Sequence, residues 1–187
     1  MIKKILLASV LASSVFGGVT DGAFGLKLGD KVSKSIATKA NRTSWCESEG
    51  YTSYKIKHNQ IGKLTEFEVT VADHNNVIQS ISANSDNFRY MSSCKDALKP
   101  LRNGLIQKYG KPNNNNLTYL SKDKNRKLNV FCTEDRIYHS SGASKIIGYK
   151  ILYNLDDTNL QQKTRDYIKN KKSQENKSFA NTYSNQL

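Results

Sequence analysis

Leu64-Thr65-Glu66-Phe67-Glu68-Val69-Thr70-Val71-Ala72, then Asp73-His74-Asn75-Asn76, then Val77-Ile78-Gln79-Ser80-Ile81-Ser82-Ala83: this stretch decides the fold. In the first run Phe67, Val69 and Val71 alternate with Glu66, Glu68 and Thr70, the period of a half-buried strand. The four polar residues that follow are turn formers. The chain then returns with Val77, Ile81 and Ala83 on one side. Two strands joined by a tight turn make a β-hairpin, so the sheet is antiparallel at this point.

Outward from the hairpin, residues 51–57 read as a further strand, with Tyr54 and Ile56 on one side. Before it, Gly29-Asp30 precedes a short expected helix with Val32, Ile36 and Ala40 on one face. After the hairpin, Met91, Cys94, Leu98, Leu101, Leu105 and Tyr109 recur at steps of three and four, a single helical face. Gly110 and Pro112 end that helix. Pro100 lacks an N–H and predicts a kink or break within it. Residues 117–120, 128–133 and 146–155 read as strands, with Ile147, Tyr149, Ile151, Tyr153 and Leu155 on one side of the last. Ser140 to Ser144 is a small-residue loop. From Asp157 the pattern becomes helical around Leu160, Thr164, Tyr167 and Ile168. The remainder reads as a frayed helix running into a polar tail, where Phe179, Tyr183 and Leu187 fall at four-residue steps.

The sum is an α+β protein: an antiparallel sheet of about six strands with helices on one face, in an αβββ–αβββ–α order. In architecture alone that order resembles the secreted β-lactamase inhibitor protein and the helix-plus-three-strand modules of outer-membrane assembly lipoproteins. No residue motif is shared with either.

At the N-terminus, Lys3-Lys4 precedes an apolar run over residues 5–12, followed by Ser13, Ser14, Gly17 and Gly18. That order is a secretory signal, and the run is shorter than the roughly 18 residues that span a bilayer. Residues 1–23 are therefore expected to be removed. Cleavage sites with small residues end at Gly17 and at Ala23. Residues 24–172 are then expected to form one domain, with 173–187 a flexible tail. The expected location is the periplasm or the exterior.

The chain has 187 residues, with 29 Lys plus Arg against 16 Asp plus Glu, a formal charge of +13. Its 37% hydrophobic content and 17 aromatic residues exclude a fully disordered chain. Of the 29 cations, 23 are Lys. Arg is the better phosphate fork, so nucleic acid is a poor fit. An acidic protein or an anionic envelope polymer fits better. Lys95, Lys99 and Arg102 form a stripe beside the apolar face of the second helix. Lys122, Lys124, Arg126 and Lys127 crowd a loop. Together these seven are the candidate basic patch.

An exported chain meets an oxidising compartment. Cys94 lies on the apolar helix face, and Cys132 shares a strand face with Leu128 and Val130, so both point into one layer. Cys94–Cys132 is the expected disulfide and Cys46 the free thiol. Cys46–Cys94 is the rival pairing, which spacing alone does not decide.

Catalytic patterns are weak. His58, His74 and His139 have no metal-ligand spacing, and no cofactor motif is present. Ser92-Ser93-Cys94-Lys95 and Ser85-Asp86-Asn87 match fragments of penicillin-recognising enzymes in the wrong order and without a Lys-Thr-Gly. Glu66 and Glu68 read as a solvated strand face. The expectation is an exported, non-catalytic module that binds another macromolecule. The alternatives are a small secreted hydrolase assembled from distant residues, for instance His58, His139 and a carboxylate, and an anionic-polymer binder. Oligomeric state is not readable.

Overall fold

The computed structural model describes residues 21–33, 37–39, 50–114, 117–140 and 142–184, with the side chains of 37–39 and 179–184 left aside. Nine strands and two helices are present among them: β1 (Gly22–Ala23), β2 (Leu26–Lys27), β3 (Ala37–Lys39), β4 (Tyr51–Ile56), β5 (Leu64–Ala72), β6 (Val77–Ser85), α1 (Met91–Tyr109), β7 (Thr118–Leu120), β8 (Arg126–Tyr138), β9 (Ser144–Asp157) and α2 (Thr158–Ser184). β1 and β2 form a separate small hairpin. The other seven strands form one antiparallel sheet in the order β3-β4-β5-β6-β9-β8-β7. The fold is thus α+β. Each half of the sheet is a meander, and the two halves meet along β6 and β9.

Register explains the core. Val69 lies opposite Ile81, Ile81 opposite Leu155, and Leu155 opposite Leu128. Residues paired across a sheet share a face, so Phe67, Val69, Ile81, Ala83, Leu128, Val130, Ile151 and Leu155 build one continuous buried layer. α1 packs on that layer through Cys94 and Leu105, which are buried, and through the partly buried Leu98, Leu101 and Tyr109. The hairpin of β1 and β2 adds Phe24, whose ring meets Phe67 at 4.9 Å and Tyr153 at 5.0 Å, both edge-on. Phe24 has a φ of +55° ahead of Gly25 at +76°. A bulky residue in that region is strained, and the aromatic contacts offset the strain.

The sulfurs of Cys94 and Cys132 lie 2.06 Å apart, with Cα atoms 6.1 Å apart, so α1 is tied to the middle of β8. Cys46 lies outside the described residues. Among the described residues, no helix is long and apolar enough to cross a membrane.

Several expectations are corrected. The helix expected after Gly29 is absent among the described residues. Instead Asp30 accepts the Ile78 N–H, the Val32 N–H donates to Asn76, and Lys31 bridges Val77. The segment lies extended along the β5–β6 turn, and its backbone groups find partners there. Ile36 and Ala40 lie outside the described residues. Among the described residues the pseudo-repeat is therefore without its first helix. α1 runs unbroken through Pro100. Pro100 is exposed on the solvent side of the helix, where a carbonyl left without a donor is tolerated best. α2 continues to Ser184, so residues 173–184 of the expected tail are helical. No Gly or Pro interrupts this segment, and Gln, Lys, Glu and Ala favour a helix. Within β6 the core residue at the turn is Ile78, not Val77, because the register shifts between Thr70 and Val71. Glu68 is 9% exposed rather than solvated. Its strand has a neighbour on each side, Lys55 opposite on β4 and Ser82 on β6. Finally, Asp21–Ala23, assigned from sequence to the signal, are engaged in the fold. The Leu28 N–H donates to the Asp21 carbonyl, and Gly22 pairs with Lys27.

Candidate functional site

The most distinctive surface is the far end of β8 and β9. The sequence places the ends of these strands at Thr133 and Ile146, but they continue as a ribbon to Tyr138 and Ser144. β7 pairs only with Lys127–Asn129, and β6 only with Leu152–Asp156. Beyond Asp135 the two strands therefore have no strand beside them on either edge among the described residues. They run on for three residue pairs, roughly 10 Å at strand rise, before the loop closed by His139 and Ala143.

This arm concentrates exposed apolar surface. Four of the seven large exposed hydrophobic residues among those described lie on it: Ile137 at 49%, Tyr138 at 53%, Ile146 at 37% and Ile147 at 45%. A register shift between Asp135 and Arg136 makes Ile147 the extra residue of a bulge. By count Ile147 shares a face with the half-buried Tyr149 and the buried Ile151, yet it is exposed. Bulges of this kind re-aim side chains. An open ribbon edge carries unpaired N–H and C=O groups that another chain can pair with.

The base of the arm is clamped. Phe88 and Tyr149 exchange two backbone hydrogen bonds, at 2.6 and 2.9 Å. Asn87 Nδ2 donates to Asp135 at 2.9 Å, and Lys150 Nζ meets the other Asp135 oxygen at 2.9 Å. The Lys150 hydrogen bond, aided by Asn87, holds the Asp135 carboxyl below its ordinary value against the opposing effect of burial. Gly148 sits in the same clamp, where an added Cβ would lie 3.1 Å from the Phe88 carbonyl. Farther out, Arg136 holds Glu134 and donates to Ser144 Oγ at 3.0 Å, crossing the ribbon. Polar pairs thus stiffen the arm while its isoleucines and tyrosine face outward.

The seven basic residues do not gather there. Lys95, Lys99 and Arg102 are exposed on α1, over the apolar face, and Lys99 pairs with Asp96 on its own helix at 2.7 Å. Arg102 lies close enough to Tyr119 to act on its phenol. Lys122, Lys124 and Lys127 are exposed on the β7–β8 side, where Lys127 shares a register position with Asp156 on the opposite face. Arg126 is withdrawn into the fold: its guanidinium reaches Asp21 at 2.6 Å and Asp157 at 3.9 Å. Asp157 in turn caps α2 by accepting the Leu160 N–H at 2.9 Å. Lys127 therefore lies on the face of the sheet opposite the helix stripe, and Lys122 and Lys124 sit in the loop between β7 and β8.

The catalytic alternatives do not converge. His58 packs against Phe24 and Phe67 beside the core, whereas His139 closes the arm's tip. His74 stacks on Tyr167 at 4.2 Å and helps seat α2. Ser85 accepts the Ile151 N–H and donates to the Asp86 carbonyl, a structural pin between β6 and β9. No group of three metal-ligating side chains occurs among the described residues.

Sequence reasoning missed the arm. Its signal was present: Ile137-Tyr138 and Ile146-Ile147 flank the small-residue loop almost symmetrically. The polar run Glu134-Asp135-Arg136 reads as a strand end only if the strand must be covered on one face. Comparison with family models, curated proteins and solved structures finds no match to this chain.

Proposed function

We propose that this chain is an exported, non-catalytic binding module, and that the arm of β8 and β9 is where it holds a protein partner. One observation carries the reading: four large apolar side chains stand exposed on a ribbon with both edges open among the described residues. Such an edge accepts an added strand, in which backbone hydrogen bonds supply affinity and alternate side chains supply specificity. Exposed apolar surface of this kind marks interaction sites on soluble proteins. The net charge of +13 steers an acidic partner and makes the on-rate fall with salt. The basic-then-apolar N-terminal order supports export, and a cysteine pair at bonding distance fits an oxidising compartment.

The test is affinity capture from an envelope and secreted extract, with elution by rising salt. Wild type is compared with Tyr138→Ser/Ile146→Ser, whose side chains are exposed and whose loss leaves the core intact. One protein retained stoichiometrically by wild type and lost by the variant supports the reading. Equal retention by both, or polydisperse anionic material leaving at low salt, overturns it.

A further inference from the structure

On the face of the sheet opposite the core, the register lines up one polar row. Ser53, Thr70, Ser80, Asp156 and Lys127 lie in one row across β4, β5, β6, β9 and β8. α2 passes over this row. Gln161, Arg165, Ile168 and Lys172 recur at steps of four, three and four, so one helical face looks down on the strands. Between helix and strands lies a cleft of about 740 Å³, lined below by Thr70, Ser80 and Asp156 and above by Arg165 and Lys169. That volume is in the range of small-molecule sites.

The chemistry of the walls narrows the ligand. Three cations, Lys172 included, line the cleft with a single carboxylate, so the cleft as a whole attracts an anion, although Arg165 also donates to Gln162 Oε1 on its own helix. Asp156 repels a bare anion from the floor. It is oriented by Asn154 Nδ2 at 2.6 Å and Gln161 Nε2 at 3.1 Å, and it can still accept from a ligand hydroxyl. The hydroxyls of Ser80, which donates to Asn154 Oδ1 at 3.0 Å, and of Thr70, which shares a hydrogen bond with Ser53 at 3.2 Å, stand on the neighbouring strands and keep acceptor capacity for a ligand. Gln79, only 1% exposed, lines the inner wall. Its Nε2 donates to Thr164 and its Oε1 has no partner among the described residues. A ligand that satisfies both ends carries an anionic group and several hydroxyls.

From these walls we infer that the cleft is a binding site for an acidic sugar, with its anionic group at Arg165 and Lys169 and its hydroxyls against Asp156, Ser80 and Thr70. The site is separate from the arm and does not depend on the arm's role. A neutral sugar leaves the cations unused, and an inorganic anion leaves Asp156 opposed.

The experiment is an amide NMR titration of the full chain with tetragalacturonate, and with maltotetraose and inorganic phosphate at matched ionic strength. Saturable shifts at Thr70, Ser80, Arg165 and Lys169 are expected with tetragalacturonate alone. Arg165→Gln/Lys169→Gln should weaken the affinity tenfold or more. Lys122→Gln/Lys124→Gln, the same charge change on the β7–β8 loop, should stay within twofold. Thr70→Val, which leaves charge untouched, should weaken binding about threefold, and it decides the matter if the helix variant disturbs α2. Equal losses in the two charge pairs, shifts reproduced by phosphate, or no saturation would overturn the inference.

Discussion

Reducing the bond between Cys94 and Cys132 should destabilise the protein by about 4 kcal/mol. The two cysteines are 38 positions apart in sequence. In the chain-entropy treatment, opening a loop of that length returns roughly 13 cal/mol/K to the unfolded chain, or about 4 kcal/mol at 25 °C. The native side of the balance changes little, since Cys94 is fully buried and a buried thiol behaves as a small hydrophobe. For a chain of this size, each kcal/mol moves the melting temperature by about 2–4 °C, so a fall of roughly 8–16 °C is expected. The measurement is urea unfolding followed by circular dichroism, with and without reductant, on a Cys46→Ser background that removes thiol exchange. Alkylation and mass measurement count the free thiols in each sample. Coincident unfolding midpoints, or two alkylated thiols in the oxidised sample, would refute the reasoning. An intermediate loss confined to the near-ultraviolet signal would instead place the whole effect in the seating of α1.

Three further outcomes are expected. Gly50 has a φ of +89°, and a Cβ there would lie 2.4 Å from Ile168 Cδ1. Gly50→Ala should therefore cost about 1–2 kcal/mol from backbone strain alone, and adding Ile168→Ala in a double-mutant cycle should relieve only the clash. The Asp135 carboxyl is lowered by Lys150, so it contributes stability above the unfolded carboxylate value, which is lost as pH falls through its folded value. Asp156 is raised by burial, so its contribution has the opposite slope, and the fold gains stability as pH falls through that group's folded value. Carbon-detected NMR titration should place Asp135 below and Asp156 above the ordinary range, and Lys150→Met should move Asp135 back up. Asp21 holds Arg126 at 2.6 Å and accepts the Leu28 N–H, so N-terminal sequencing of exported protein should find a start near residue 18. A start at Phe24 would show that the hairpin of β1 and β2 is dispensable.

Elements with a sustained side-chain period were legible, even though β5 carries a register shift of its own between Leu64 and Glu66. Residues 64–72 are β5, and the six-residue apolar stripe from Met91 to Tyr109 is α1. Same-face reasoning from those two periods also put Cys94 and Cys132 in one layer. What failed has a common cause. Bulges at Thr70/Val71 and Asp135/Arg136 shift the phase of an alternating pattern by one residue. One turned Ile78 inward and buried Gln79. At the other stands Ile147, exposed on the arm. The segment around Val32 failed differently: four-residue spacing mimicked a helix, while its backbone partners lay on the β5–β6 turn, about 45 positions downstream. Of the candidate site, the charge was legible and its placement was not, since Arg126 is claimed by Asp21 and Asp157.

The seam between β6 and β9 has a consequence for assembly in time. Its paired residues are about seventy positions apart in the chain. A chain emerging N-terminus first completes the β4–β5–β6 meander and then must wait for β9, its strand partner on that side. Through that interval β6 is a bare edge with Ile78, Ile81 and Ala83 uncovered, open to pairing with another chain. Contacts this distant in sequence also close slowly. Delivery of the unfolded chain as a whole, as export supplies, would shorten the wait. Synthesis in place, strand by strand, would lengthen it.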